Sequence, residues 1–96
     1  MASSTAMVPT ESGSKYLQQV CKHWSHKLEV SFTPEAGTVT FPASKATMTA
    51  HAETLEVQVD ADDDETLQRM KGVVANHIDR FAFREAPLTY DWKDAA

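Results

Sequence analysis

The fold of this 96-residue chain is decided by its middle third, where residues 28–60 read LEVSFTPEAGTVTFPASKATMTAHAETLEVQVD. Apolar residues alternate with polar ones through four short runs, and Pro, Gly and Ser residues separate the runs. A period of two residues is typical of a β-strand with one buried face and one solvated face. The stretch therefore predicts four consecutive antiparallel strands, with a hairpin turn at residues 34–37.

The two faces of these strands differ in composition. The apolar face is predicted to carry Leu28, Val30, Phe32, Val39, Phe41, Leu55, Val57 and Val59. The opposite face carries Thr33, Thr38, Thr40, Thr47, Thr49 and Thr54, and we call it the Thr-rich face. We expect the Thr-rich face to lie in water, because β-branched Thr suits a solvated strand. The alternative is a docking surface for a partner protein or for a second copy in a homodimer.

An amphipathic helix is predicted on either side of this strand region. In residues 17–28 apolar side chains recur at steps of three and four, after a start at Thr10 or Ser12, whose hydroxyls can cap a helix. In residues 67–81 a second apolar stripe follows an acidic start at Asp62. Each helix has one apolar face, so both must pack on the apolar face of the sheet.

Short strands are also predicted near the two ends, at residues 5–8 and residues 88–92. The expected fold is α+β, with one antiparallel sheet, the order β-α-β-β-β-β-α, an extra strand at the C-terminus, and two helices on one face. No repeat, linker or low-complexity tract divides the chain, so one domain is expected over residues 1–96.

Charge and composition disfavour several classes of protein. The net charge of −5 opposes binding to nucleic acid or to an anionic membrane, which would require a basic surface. No apolar run approaches the length of a membrane span. The first residues have neither the basic nor the apolar region of a secretory signal, and the single Cys21 cannot form an intramolecular disulfide. A cytoplasmic location is therefore expected.

Four histidines raise the question of a metal site: His23, His26, His51 and His77. His23 and His26 are three residues apart on a helix and could share a metal ion. Two ligands do not make a structural zinc site, so we expect no bound metal. We also expect no cofactor, because the sequence contains no glycine-rich phosphate loop and no nucleophile elbow.

A second candidate site is a basic groove between the helices. On helical geometry, the groove would be lined by Tyr16, His23 and Lys27 of the first helix and by His77, Arg80 and Arg84 of the second. Such a groove would suit a small anionic ligand, because arginine presents a planar pair of donors to a carboxylate or phosphate. In the alternative, Arg80 and Arg84 pair with Asp79, Glu85 or Asp91 and hold the C-terminal tail.

Two long strings resemble the signature stretches of an uncharacterised bacterial family, domain of unknown function 2218. They are KYLQQVCKHWSHK at residues 15–27 and NHIDRFAFRE at residues 76–85, and the resemblance extends over residues 10–92. It implies a small stand-alone protein or a domain joined to a siderophore-interacting flavoprotein reductase. A link to iron acquisition and a siderophore-related protein partner follow from this resemblance, which assigns no role to any residue.

These observations leave two functions from different classes. The first is a non-catalytic binding or accessory module. The second is a small enzyme that acts on an anionic, iron-chelate-like substrate with His23 or His77 as an acid–base group. A buried groove in which a perturbed histidine touches Arg80 would favour the enzyme, and a filled helix–sheet interface with no cavity would favour the module.

Overall fold

Six strands form one antiparallel sheet in the computed structural model of the chain, which describes residues 2–95. In chain order the elements are β1 (Ala2–Pro9), α1 (Gly13–Trp24), β2 (Glu29–Phe32), β3 (Ala36–Phe41), β4 (Ser44–Ala50), β5 (Thr54–Ala61), α2 (Asp64–Phe81) and β6 (Trp92–Asp94). Residues 1 and 96, the two ends of the predicted domain, lie outside the described part of the chain. The predicted α+β class and the predicted order of elements are confirmed.

The strand order β2-β3-β4-β5-β1-β6 explains why both helices lie on one face of the sheet. Strands β2 to β5 form the predicted meander, and β1 pairs along its whole length with β5. The connection through α1 therefore carries the chain back across the sheet, from β1 to the opposite edge at β2. The connection through α2 passes over β1 and ends at β6, which pairs with the free side of β1.

The core lies between the sheet and the two helices. The fully buried side chains include Leu17 and Val20 of α1, Val39, Leu55, Val57 and Val59 of the strands, and Leu67, Val74 and Ile78 of α2. Val30, Phe32 and Phe41 pack against this core but are only partly buried, because they lie on or near the β2 edge. Thr38, Thr40, Thr47, Thr49 and Thr54 of the Thr-rich face lie on the other side of the sheet, as predicted, whereas Thr33 lies in the turn between β2 and β3.

The first and last strands differ from the sequence-based prediction. Strand β1 is longer than the predicted residues 5–8, since it is paired on both sides and its polar Ser4 is buried in the sheet. The C-terminal strand begins at Trp92, where the predicted strand was to end. Upstream of it, Tyr90 leaves the sheet and donates a hydrogen bond of 2.9 Å to Asp79 on α2.

The two helix starts also differ slightly from the prediction. Asp63, rather than Asp62, caps α2 by accepting a hydrogen bond of 2.7 Å from the backbone N–H of Thr66. The Ser12 hydroxyl makes no capping bond, and its backbone N–H instead donates to Thr10 Oγ1 over 3.1 Å. Within residues 2–95, no helix is long and apolar enough to span a bilayer.

Gly37 has a different role from the one that the sequence suggests. The hairpin prediction places it in a turn, but it lies inside β3 and is buried. A Cβ atom added to Gly37 would lie 2.6 Å from Cys21 Sγ and 3.1 Å from Phe32 Cβ. Gly37 therefore allows α1 to approach the sheet more closely than any other residue would permit. Burial at this contact raises the pKa of the Cys21 thiol to about 11.

We predict that Gly37→Ala lowers the free energy of unfolding by about 1–3 kcal/mol, because the added methyl group overpacks the contact with Cys21. Gly72→Ala is the matched control, since the exposed Gly72 of α2 has no atom within 4 Å of an added Cβ. That control should raise the free energy of unfolding by about 0.5–1 kcal/mol through helix propensity. Urea unfolding measures both changes.

The contact itself is tested by the double variant Cys21→Ala with Gly37→Ala. Removing Sγ takes away the nearest atom, so the double variant should lose less stability than the two single variants added together. Strict additivity, or a stable Gly37→Ala variant, would contradict the close approach.

Candidate functional site

Helices α1 and α2 run in opposite directions and meet along a surface that we call the helix seam, formed by Tyr16, His23, His77 and Phe81. Tyr16, near the start of α1, and Phe81, at the end of α2, line the same depression. At the other end of α1, the His23 ring lies 5.6 Å from the His77 ring, centroid to centroid. The prediction that the two helices are neighbours is therefore correct.

Aromatic rings fill the space between the helices. The His77 ring lies 4.7 Å from the Trp24 ring, and the Trp24 ring in turn contacts Phe41 edge-on at 5.2 Å. On the solvent side, the His23 ring lies 5.8 Å from Phe81. The predicted pair of histidines thus lies in a cluster of tilted and edge-on aromatic rings, with His77 half-buried and His23 exposed.

One hydrogen bond fixes the orientation of His77. Its Nδ1 lies 2.7 Å from the backbone carbonyl oxygen of Val73, one helical turn earlier. A carbonyl oxygen can only accept, so Nδ1 carries the hydrogen, and in the neutral ring Nε2 is left as an acceptor.

Glu85 ties the start of α1 to the end of α2. The hydroxyl of the buried Tyr16 donates a hydrogen bond to the Glu85 carboxylate. The buried Thr10 hydroxyl lies 3.1 Å from both oxygens of the same carboxylate. The hydrogen bond to Glu85, followed by burial, raises the pKa of the Tyr16 phenol above its ordinary value.

Three shallow depressions adjoin the helix seam, and they share an unusual lining. The first has a volume of about 340 Å³ and is lined by Asn76, His77 and Arg80. The second has a volume of about 140 Å³ and is lined by Lys15, Tyr16, Phe81, Phe83 and Arg84. The third has a volume of about 320 Å³ and is lined by Gln19, Lys22, His23, His26 and Phe81. Each contains at least one lysine or arginine. No aspartate or glutamate is among the lining residues of any of the three.

The predicted site residues are divided among the three depressions, with His23 in the third and with one exception. Tyr16 and Arg84 share the second depression, and Arg80 shares the first with His77. Lys27 lines none of the depressions described above, because α1 ends at Trp24 and Lys27 lies in the following turn. The single groove predicted from helical geometry is therefore a row of smaller depressions.

Two lysines at the helix seam escaped the sequence analysis. Lys15 lines the second depression and Lys22 lines the third. The two residues are seven apart, which places them on nearly the same side of α1. The seven-residue spacing could have identified these two lysines as neighbours on α1. The prediction missed them because it considered only the flank of α1 that carries Tyr16 and His23.

The alternative in which the arginines hold the tail is not what the structure shows. Among residues 2–95, neither Arg80 nor Arg84 forms an ion pair with a carboxylate. Asp79 holds the tail instead, by accepting hydrogen bonds from the Leu88 backbone and the Tyr90 hydroxyl.

The histidines do not converge with other metal-binding side chains. Within the described residues, no group of three or more His, Cys, Asp or Glu side chains is placed to hold a metal ion. His23 and His26 do line the same depression, whereas His51 contacts Glu56 at 3.0 Å. The expectation that the protein binds no metal stays a prediction.

Comparisons with known proteins place these features in context. A family described as "Uncharacterized protein conserved in bacteria (DUF2218)" matches residues 5–93. The fold is similar to the NMR structure of PA4090 from Pseudomonas aeruginosa, with a TM-score of 0.82 and 38% sequence identity. That similarity covers 97% of this chain and 96% of the other. No curated protein matches the chain.

We predict that Tyr16→Phe lowers the free energy of unfolding by about 1–3 kcal/mol at pH 7, because Glu85 loses a phenol donor. The raised pKa of Tyr16 makes this loss depend on pH. Below pH 10 the phenol is protonated in both the folded and the unfolded chain, and its contribution is complete. As the pH rises above 10, the unfolded chain releases the proton first, so the contribution declines.

Urea unfolding of the wild-type protein and the Tyr16→Phe variant between pH 8 and pH 11.5 measures the difference between their free energies of unfolding. Tyr90 is present in both proteins, so its ionisation cancels in the comparison. A difference that stays constant across this range would contradict the assignment.

Proposed function

The chain belongs to the bacterial family DUF2218, and we propose that it is a non-catalytic binding module that takes an anionic ligand at the helix seam. One observation carries the proposal: the three depressions along the helix seam are lined by cationic and aromatic side chains without a carboxylate. This is unexpected for a chain whose net charge is −5.

The cations of the helix seam have no carboxylate partner among residues 2–95, a property they share with Lys27, Lys45 and Arg69 but not with two other lysines. Lys71 contacts Asp94 at 2.6 Å, and Lys93 contacts Asp91 at 3.3 Å, so these two charges are balanced within the chain. Lys22, Arg80 and the other helix-seam cations have no such partner among residues 2–95. An anion bound beside one of these cations would supply the opposite charge that the described residues do not provide.

The packing of the Trp24 ring against the His77 ring, at 4.7 Å between centroids, supports a binding module over an enzyme. The alternative, a small enzyme that uses His23 or His77 as an acid–base group, draws support from the fixed His77 ring with Nε2 as an acceptor. Proton NMR of the ligand after long incubation separates the two functions, since a module returns it unchanged.

The connection with iron is a finer part of the same proposal. It rests on the sequence resemblance described above, which also suggests a siderophore-related protein as a partner. A ferric chelate with free carboxylates would present the negative charge that the helix seam lacks. We retain a cytoplasmic location in the proposal, which the buried free thiol of Cys21 accommodates.

We predict that citrate raises the melting temperature of the protein, with sodium chloride at equal ionic strength as the reference. A ligand that binds only the folded state stabilises it, and each 1 kcal/mol raises the melting temperature by about 4–8 °C in a chain of this size. Arg80→Gln should abolish the citrate effect while leaving the ligand-free melting temperature nearly unchanged, because Arg80 is exposed.

Lys45→Gln is the matched control, since it removes one exposed cation from β4, away from the helix seam. It should retain the full citrate effect. A large loss of ligand-free stability in Arg80→Gln, with no shift from any anion, would reject the proposal.

Ferric citrate in place of citrate tests the iron connection, which predicts a larger shift of the melting temperature for the ferric complex and is wrong if the two shifts are equal.

A further inference from the structure

We propose that the second depression of the helix seam binds a monocyclic aromatic carboxylate. This inference rests on the proposed function, because it names the class of anion that one part of the helix seam takes. The depression is bounded by Tyr16, Phe81 and Phe83, with Lys15 and Arg84 as its cations. Aromatic walls and two adjacent cations are what a ligand with one ring and one carboxylate requires.

One wall of the depression is a buried ring that is held in place, and the opposite wall is a ring exposed to solvent. Tyr16 is buried, and its hydroxyl is held by Glu85, so this ring cannot turn away. Phe83 follows the end of α2 and, at 71% exposure, is the most exposed large apolar side chain among residues 2–95. The Arg84 guanidinium lies over this ring. A flat apolar ligand would shield this ring from water.

The volume of the depression matches a single six-membered ring. Its volume is about 140 Å³. A cavity of about 150 Å³ in another protein holds benzene, so one six-membered ring fits and a fused ring system would extend beyond the depression. The two larger depressions lack this combination, because neither contains more than one phenylalanine or tyrosine ring.

The charges of the depression select an acid over a neutral ring. The Arg84 guanidinium carbon lies 5.9 Å from the centre of the Phe83 ring, so a ligand on that ring is within reach of the guanidinium donors. Lys15 supplies a second positive charge. Glu85 is the nearby negative group, but its carboxylate already accepts hydrogen bonds from Tyr16 and Thr10. A carboxylate on the ligand is therefore the partner available to Arg84.

The experiment is a two-dimensional amide NMR titration of the full chain with benzoate, at constant ionic strength. Benzamide tests the ring without the charge, and acetate tests the charge without the ring. We expect benzoate to shift the amide signals of residues 15–16 and 81–84, and benzamide and acetate to bind at least tenfold more weakly. Phe83→Ala and Arg84→Gln should each raise the Kd of benzoate about tenfold.

Both residues are exposed, so these variants are expected to fold. Lys45→Gln is the matched control, because it removes an exposed cation from β4, away from the helix seam, and it should leave the Kd within about twofold. Equal binding of benzoate and acetate, or benzoate shifts that are unchanged by Phe83→Ala, would overturn the aromatic-acid proposal. If citrate still stabilises the protein in that case, the proposed function stands. If no anion binds at all, both proposals fail.

Discussion

The close approach of α1 to the sheet at Gly37 is the constraint on which the rest of the structure depends. Cys21 Sγ occupies the space where a Cβ atom would otherwise be, so α1 lies low over β3. One face of a six-stranded sheet must accommodate two helices, and the low position of α1 places its side in contact with α2. The helix seam, with Tyr16 and His23 facing α2, is a consequence of this packing.

The positive character of the helix seam arises because its nearest carboxylates are used elsewhere. Asp79 precedes Arg80 in α2, yet it accepts hydrogen bonds from the tail through Leu88 and Tyr90. Glu85 follows Arg84, yet it binds the hydroxyls that join α1 to the end of α2. Each carboxylate next to an arginine therefore stabilises the fold, and the arginines remain free for another partner. The carboxylates that stabilise the fold are therefore the ones that would otherwise pair with the arginines of the proposed site.

The sequence predicts most of the fold because alternation and helical periodicity leave few options for the middle of the chain. It fails where a residue has a role that only the tertiary structure reveals. Gly37 was placed in a turn because turns favour glycine, whereas its true role depends on a cysteine 16 positions away. Lys27 was placed on a helix flank because the apolar stripe extends to Leu28, whereas the helix ends at Trp24. The meeting of His23 with His77 was predictable, but the separation of the basic groove into smaller depressions depends on how Phe81 packs.

The negative charge of the whole chain is compatible with the anion binding proposed for the helix seam. Charges on the protein surface are screened over a Debye length of about 8 Å at physiological ionic strength, so distant carboxylates contribute little at the site. The acidic start of α2, from Asp63 to Glu65, lies at the opposite end of that helix from Phe81. An α-helix of this length separates its ends by about 25 Å, which is several Debye lengths. An approaching anion therefore responds to Arg80, Arg84 and the nearby lysines, and its affinity should weaken as salt is added.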